Sequence, residues 1–318
     1  MALVILAMGL LLFWVMGSIA IFCGMIRRGK KKKRGKTSRT EHAAERPGSY
    51  EEKQRRQTEA ERWLREQPTL ERVQICSDDG LKLIGHLLPA AGESKKIVLM
   101  SHGYRCNGLR EWGLYADFYH RRGYQLMIPD HRAHGESEGR YIGFGWPDRK
   151  DLLCWCKALR ERFGEDCEIL LHGISMGAAA VLLTGSEEGL PAQVKGIVAD
   201  CSFTSAWEEA CYRMRADYHL PPFPLLYGAD LVCRLRAGYS LKQADVLGRV
   251  GRIQVPVLFL HGDADTYVPT EMGYRLYGAC HAPKRMAILR DTIHANAWLG
   301  DRERFEQSVR WFTSEIEF

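Results

Sequence analysis

Apolar and polar positions divide the chain into three parts. Residues 2–26 carry no charge, residues 27–70 are mostly polar, and short apolar runs then recur from Glu71 onward. At about 1.5 Å per residue, the first part is long enough to cross a hydrocarbon layer of roughly 30 Å. The pattern predicts a single transmembrane helix over residues 1–26, a juxtamembrane linker over 27–70 and a folded domain over 71–318.

The second half of the linker has the composition of a helix. From Tyr50 to Glu66, strong helix formers carry acidic and basic residues at helical spacing. Most of this stretch is polar, and two large apolar residues, Trp63 and Leu64, stand near its end. We expect an exposed helix that docks on the domain through this pair.

Within the domain, strand patterns alternate with helix patterns. The first two strands form a predicted hairpin with Asp79 and Gly80 in its turn. The later strands lack strict polar alternation, which is typical of parallel strands covered on both faces. They are Lys96 to Ser101, Gln125 to Pro129, Glu168 to His172, Val194 to Ala199, Val255 to His261 and Arg285 to Leu289. The pattern predicts an α/β fold with a mostly parallel central sheet of about eight strands and helices on both faces.

The strand pattern is interrupted between residues 203 and 250. Helical patches there run from Ser205 to Tyr218 and from Tyr227 to Leu235, on either side of a proline-rich kink. We predict a small helical cap inserted above the strand ends. Aromatic residues in this cap suit an apolar acyl or aromatic group, although helix packing uses the same residues.

The charge distribution argues against nucleic acid as a partner of the folded domain. The formal net charge is +6, but residues 27–39 alone hold nine Lys or Arg and no acid, so the rest of the chain is slightly negative. This basic run follows the apolar segment directly, and nothing basic precedes it. A cleaved secretory signal has the opposite arrangement. The positive-inside rule therefore predicts a single-pass protein of the cell membrane whose folded domain is cytoplasmic, and the basic run can also contact anionic lipid headgroups.

The ten cysteines are scattered and form no Cys-x-x-Cys pair. Neither metal-site spacing nor the density of a small disulfide scaffold is present. We therefore predict reduced thiols in a cytoplasmic compartment, and neither a metal nor another cofactor.

The sequence from Gly173 to Gly177 reads Gly-Ile-Ser-Met-Gly and follows a predicted strand directly. This is the pattern of a nucleophile elbow, a strained strand-to-helix turn that exposes the hydroxyl of Ser175 above a sheet. The glycines let strand and helix pass closely. In such a site the oxyanion is held by the amide after the nucleophile, here that of Met176, and by one from an earlier loop. His-Gly-Tyr after the strand at 96–101 predicts that the second amide is that of Tyr104.

A serine nucleophile needs a base and an acid that orients the base. The loop after the strand at 255–261 offers Asp263 and Asp265. We favour Asp265, because Asp263 lies in a tight Gly-Asp turn where an aspartate caps backbone amides well. His294 follows the last predicted strand and is the natural base. The order Ser175, Asp265, His294 is that of the α/β-hydrolases.

With these motifs the chain resembles the α/β-hydrolase fold superfamily, and it is similar to membrane-tethered bacterial hydrolases of the serine aminopeptidase-like (S33) and BEM46-like group. The run from Asp130 to Ser137 also resembles this group's Asp-x-Arg-Gly-His-Gly-x-Ser loop, with Ala133 where the pattern usually has glycine. The resemblance covers most of the chain after the linker. It implies an enzyme of the carboxylesterase, lipase or peptidase type.

The constellation predicts a serine hydrolase that cleaves an ester, thioester or amide through an acyl-enzyme on Ser175. An acyltransferase would use the same triad, and a non-catalytic membrane-anchored binding protein could keep the same fold. A haloalkane dehalogenase is excluded, because it needs a carboxylate in place of this serine. The expected substrate is a small-molecule or lipid-derived acyl compound, and membrane anchoring favours a lipid-derived ester.

Overall fold

The computed structural model describes residues 1–29 and 50–318. The predicted basic run from Lys30 onward and the following polar part of the linker, up to residue 49, lie outside the described residues.

Eight strands form one sheet in the order β1-β2-β4-β3-β5-β6-β7-β8. The first strand pairs antiparallel with the second, and the second with the fourth, whereas all other neighbours are parallel. The strands are β1 (Glu71–Cys76), β2 (Lys82–Leu88), β3 (Lys96–Ser101), β4 (Gln125–Pro129), β5 (Glu168–Ile174), β6 (Val194–Asp200), β7 (Val257–Gly262) and β8 (Lys284–Leu289). The predicted mostly parallel sheet of about eight strands is confirmed.

Helices cover both faces of this sheet and bury a separate apolar core on each side. One core contains α4 and α5, and the other contains α3 and α10. The helices that follow the linker are α3 (Gly108–His120), α4 (Asp148–Phe163), α5 (Met176–Gly185), α6 (Ala206–Tyr218), α7 (Leu225–Ala237), α8 (Thr270–Ala279), α9 (Ala297–Gly300) and α10 (Arg302–Glu315). Helices α6 and α7 form the cap.

The first helix, α1 (Ala2–Met25), is long and apolar enough to cross a membrane by its length and composition. Its first half is exposed, but its second half packs against α7 of the cap. The indole Nε1 of Trp14 donates to Pro224 O at 3.0 Å, and Ser18 and Phe22 are buried. The predicted anchor is therefore in direct contact with the cap.

The second helix, α2 (Tyr50–Arg65), packs along α3 more closely than an exposed linker helix does. A Cβ added at Gly113 of α3 would lie only 2.8 Å from the carbonyl carbon of Ala60, so the two backbones are nearly in contact. Leu64 is fully buried, as expected, whereas Trp63 remains 38% exposed. Gln57 is also buried. The docking surface thus extends well beyond the predicted pair, because the small residue at position 113 admits the helix.

Candidate active site

The turn between β5 and α5 has the strained geometry of a nucleophile elbow. Ser175 lies at φ 57° and ψ −116°, a region that costs free energy for a residue with a side chain. A Cβ at Gly173 would lie 2.2 Å from Gly177 O, and one at Gly177 would lie 2.0 Å from Ser101 O. Only glycine fits at both positions, so the spacing of the motif follows from the close passage of backbone segments.

The structure brings the three predicted triad side chains together. His294 Nε2 lies 2.8 Å from Ser175 Oγ, and His294 Nδ1 lies 2.7 Å from Asp265 Oδ2. These residues come from three different loops, which all lie at the carboxyl edge of the parallel strands. The imidazole thus joins the hydroxyl to the carboxylate in one hydrogen-bonded chain.

The carboxylate of Asp265 is buried yet well supplied with donors. Burial alone raises the pKa of Asp265, but hydrogen bonds from His261 and His294 outweigh it and hold the pKa well below its usual value. Its Oδ1 also accepts the amides of Tyr267 and Val268, both at 2.9 Å. A carboxylate that is ionised at neutral pH can, in this position, stabilise an imidazolium on His294.

Asp263 and Asp265 differ in their contacts, and the assignment of Asp265 as the acid stays a prediction. Asp263 is exposed, and it is Asp265 that caps the backbone amides of its loop while also bonding to His294. A single carboxylate has enough lone pairs for both tasks.

The loop predicted to supply the second oxyanion amide lies against the nucleophile. A Cβ added at Gly103 would lie 3.5 Å from Ser175 Cβ. The amide of Gly103 donates to Glu111 Oε2 at 2.5 Å, and that buried carboxylate fixes the loop from α3. Met176 begins α5, where helix N–H groups lack intrahelical acceptors. Gly103 and Ser175, the residues directly before Tyr104 and Met176, are thus neighbours, and the role of the Tyr104 and Met176 amides as oxyanion donors stays a prediction.

The Tyr104 side chain connects the predicted oxyanion loop to α1. It stacks on Phe144 with ring centroids 5.2 Å apart, and its hydroxyl donates to Met25 O in the last turn of α1 at 2.7 Å. Burial raises the pKa of Tyr104 to about 12, so the hydroxyl remains a donor at neutral pH. The end of α1 is therefore joined directly to the predicted oxyanion loop.

The loop after β4, where the resemblance placed a family motif, supports the site from behind. Asp130 accepts the amides of Gly108 and Glu136, each at 2.8 Å. His134 Nε2 accepts the amide of Arg105 at 3.1 Å, which ties this loop to the predicted oxyanion loop. Ala133 has φ 60°, a conformation that glycine adopts more easily, and this explains the usual glycine in the motif.

Sequence reasoning missed one contact with the catalytic loop. Lys53 Nζ, on α2, donates to Ala295 O at 2.5 Å and lies 3.4 Å from His294 O. Nothing in the sequence distinguishes this lysine from the many other charged residues of its helix. The predicted linker helix thus holds the backbone beside the predicted base.

Two buried groups, Asp200 and Cys201, lie near the triad at the end of β6. Asp200 Oδ2 has no hydrogen-bond partner among residues 1–29 and 50–318, and burial raises the pKa of Asp200 to about 7. Cys201 has a ligand atom within 4.8 Å of those of Asp265 and His294, and the three residue types together can bind a metal. Two of these three residues, however, already form the 2.7 Å hydrogen bond between His294 Nδ1 and Asp265 Oδ2.

The sheet has eight strands and is mostly parallel. A strained serine follows its fifth strand, and an acid and a histidine follow its last two strands. These features define an α/β-hydrolase. Comparisons with known proteins agree. The sequence profile of the family described as serine aminopeptidase, S33, matches residues 92–220. Protein YqkD of Bacillus subtilis (strain 168) is 32% identical over 228 residues, which are 71% of this chain and 74% of that protein. The chain belongs to the α/β-hydrolase superfamily and is an enzyme of this class.

Two further similarities are more distant. Lysophosphatidylserine lipase ABHD12 of Danio rerio is 27% identical over 167 residues, which are 49% of this chain and 39% of that protein. The structure of the Pyrococcus furiosus esterase Pf2001 superposes with a TM-score of 0.63 at 23% identity, covering 77% of this chain and 91% of that chain. The second similarity shows the common fold.

Proposed function

We propose that the protein is a membrane-anchored serine hydrolase that cleaves an ester of a lipid-derived acyl group. The observation that carries the proposal is the hydrogen-bonded chain from Asp265 through His294 to Ser175, with distances of 2.7 and 2.8 Å. The hydroxyl of Ser175 is thus in contact with the imidazole that would act as its base.

In this mechanism Ser175 Oγ attacks the carbonyl carbon of the substrate while His294 Nε2 takes the hydroxyl proton. Asp265 holds the other ring nitrogen and stabilises the imidazolium. The amides of Met176 and Tyr104 donate to the oxyanion. His294 then returns the proton to the leaving alcohol, which leaves an acyl-enzyme. A water molecule, deprotonated by the same imidazole, releases the acid and regenerates the serine hydroxyl.

Two observations support a lipid-derived substrate. The last turn of α1 accepts a hydrogen bond from Tyr104 of the predicted oxyanion loop, so a membrane-inserted α1 would hold this loop close to the bilayer. One relative bears the name of a lysophosphatidylserine lipase. We place the catalytic domain on the cytoplasmic side because the basic residues follow the apolar segment.

The nucleophile is tested with a fluorophosphonate probe on the full-length protein in detergent. We expect labelling of the wild type and none of Ser175→Ala. Ser202→Ala is the matched control, because Ser202 is also a buried serine after a strand of this sheet, and its hydroxyl donates to Phe203 O. Labelling of Ser175→Ala at the wild-type level would refute the assignment.

Substrate class is tested by turnover of acyl esters of increasing chain length, with aminopeptidase substrates alongside. We expect long-chain and bilayer-presented esters to be preferred. A clear preference for short, soluble p-nitrophenyl esters would remove the lipid part of the proposal. Adding alcohol or amine acceptors and analysing the products separates hydrolysis from acyl transfer.

Protease digestion of intact cells tests the orientation, which is wrong if the catalytic domain is digested.

A further inference from the structure

The cap carries a large exposed apolar surface at the turn between its helices. The segment from Tyr218 to Tyr227, named here the cap tip, contains no Asp, Glu, Lys or Arg. Four of its large side chains are exposed: Tyr218 by 69%, Leu220 by 44%, Phe223 by 69% and Tyr227 by 48%. A cluster of this kind is unusual on a surface that faces only water and marks contact with another apolar phase.

The cap tip lies beside the middle of α1. Trp14 bonds to Pro224 O, a Cβ at Gly17 would touch Leu225, and one at Gly228 would touch Ser18. Contacts therefore advance along both helices in the same order, which means that α1 and α7 run in the same direction. The cap tip is level with Trp14, about halfway along the apolar helix.

The length of α1 places this level inside a bilayer. From Ala2 to Trp14 the helix rises only about 20 Å, whereas a hydrocarbon layer is roughly 30 Å thick. A helix that spans the layer must therefore continue in lipid for about 10 Å beyond Trp14. The exposed residues of that continuation, Val15, Met16 and Ile19, are indeed apolar.

Both helices also become basic at the same end. Exposed Arg27 follows α1, and exposed Arg234 and Arg236 lie in the last turn of α7. Since the helices run in the same direction, these cations collect on one side of the apolar band. Basic side chains at this level suit anionic lipid headgroups.

We infer that the cap tip inserts into the leaflet next to α1, so that the site opens at the lipid surface. The inference rests on the membrane anchoring proposed above. Helix α6, which leads into the cap tip, contacts the loop of the predicted acid, since Tyr212 Oη donates to Thr266 O at 3.1 Å. The predicted oxyanion loop, which lies against Ser175 at Gly103, is bonded to α1 through Tyr104 Oη and Met25 O. An acyl ester held in the leaflet would therefore reach Ser175 between two elements that both border lipid.

Acyl-chain photolabelling tests the insertion directly. The full-length protein is placed in phosphatidylcholine–phosphatidylglycerol liposomes that contain a phospholipid with a diazirine at its acyl-chain end, irradiated and digested. We expect label on α1 and on the outward side chains of Leu220 and Phe223. Label on α1 but not on the cap tip would overturn the insertion and leave the anchoring intact. No label on α1 would overturn both.

A functional test uses the double variant Leu220→Asp with Phe223→Asp. We expect turnover of a lysophospholipid presented in liposomes to fall about tenfold, because inserted carboxylates oppose burial in the leaflet, while turnover of a short soluble ester stays unchanged. The matched control is Trp311→Asp, which changes an aromatic residue that is 52% exposed on α10, away from the cap.

The liposome-presented lysophospholipid and the short soluble ester together distinguish failure of the proposed insertion from failure of the proposed function. Equal loss on both, or no loss on either, would overturn the insertion. A wild-type protein that hydrolyses neither substrate would count against the proposed function, and the photolabelling would still report on the insertion.

Discussion

Lys53 offers a specific test of whether α2 takes part in catalysis. Its ammonium donates to the carbonyl of Ala295, the residue directly after the predicted base. Ala295 lies at φ 52° and Asp291, three residues before His294, at φ 49°. Because neither residue favours this conformation, the loop depends on outside contacts to keep its shape. Lys53→Met removes the charged donor and keeps most of the side-chain stem.

The expected size of the effect follows from the contact. A hydrogen bond from a charged group contributes about 1.5–3 kcal/mol, and a tenfold change in rate corresponds to about 1.4 kcal/mol. Lys53 is only partly buried, so the lower end of this range applies. We therefore expect kcat to fall about 10- to 30-fold. KM should change little, because the bond orients the base and does not contact substrate.

The assay is steady-state hydrolysis of a short soluble ester by the full-length protein in detergent. Lys53→Arg should recover part of kcat, since it restores a charged donor. Arg56→Met is the control, because Arg56 lies on the same helix but is half exposed and lies 3.8 Å from Glu52. A role of Lys53 in orienting the predicted base is refuted if Lys53→Met keeps kcat within about twofold of wild type, or if Arg56→Met causes the same loss. A lowered melting temperature with unchanged kcat would show that the lysine only stabilises the fold.

Two other predictions concern single residues. Asp265→Asn should lower kcat by about 10³- to 10⁴-fold, whereas exposed Asp263→Asn should stay within about twofold of wild type, and an inactive Asp263→Asn would reverse the assignment of the acid. Burial lowers the pKa of His172 from its ordinary 6.5 to about 3. The unfolded chain therefore binds a proton at this position more readily than the folded chain, and the free energy of unfolding decreases as pH falls from about 6.5 toward 3. In His172→Gln this loss should shrink, as measured by urea midpoints at pH 7 and pH 5, and an equal loss in both proteins would contradict the role of His172.

The sequence was most informative where a local motif and the topology agreed. Ser175 is marked by two glycines that the strained turn requires, and parallel strands bring their carboxyl ends to one edge. His294 could therefore be placed near Ser175 without any knowledge of the loops between them. The choice between Asp263 and Asp265 was harder, because two acids two residues apart differ only in how the turn directs their side chains.

Long-range docking was the part that the sequence could not reveal. Helix α1 is apolar on every face, so nothing in its pattern marks the side, with Ser18 and Phe22, that packs on the cap. Helix α2 is polar on most faces, and a lysine that bonds to a distant carbonyl looks like any solvated lysine. In both cases the partner surface exists only after the domain has folded.

The hydrogen bond from Tyr104 to Met25 O joins α1, the proposed anchor, directly to the predicted oxyanion loop. Arg105, the next residue of the same loop, also donates to α1, at Gly24 O. The coupling free energy between two sites is reciprocal. A shift of α1 therefore changes the free energy of the predicted oxyanion loop. Bilayers of different thickness tilt or shift a spanning helix. On the proposed anchoring, we expect membrane thickness to affect turnover, and we expect replacement of α1 with an unrelated helix to change turnover as well as location.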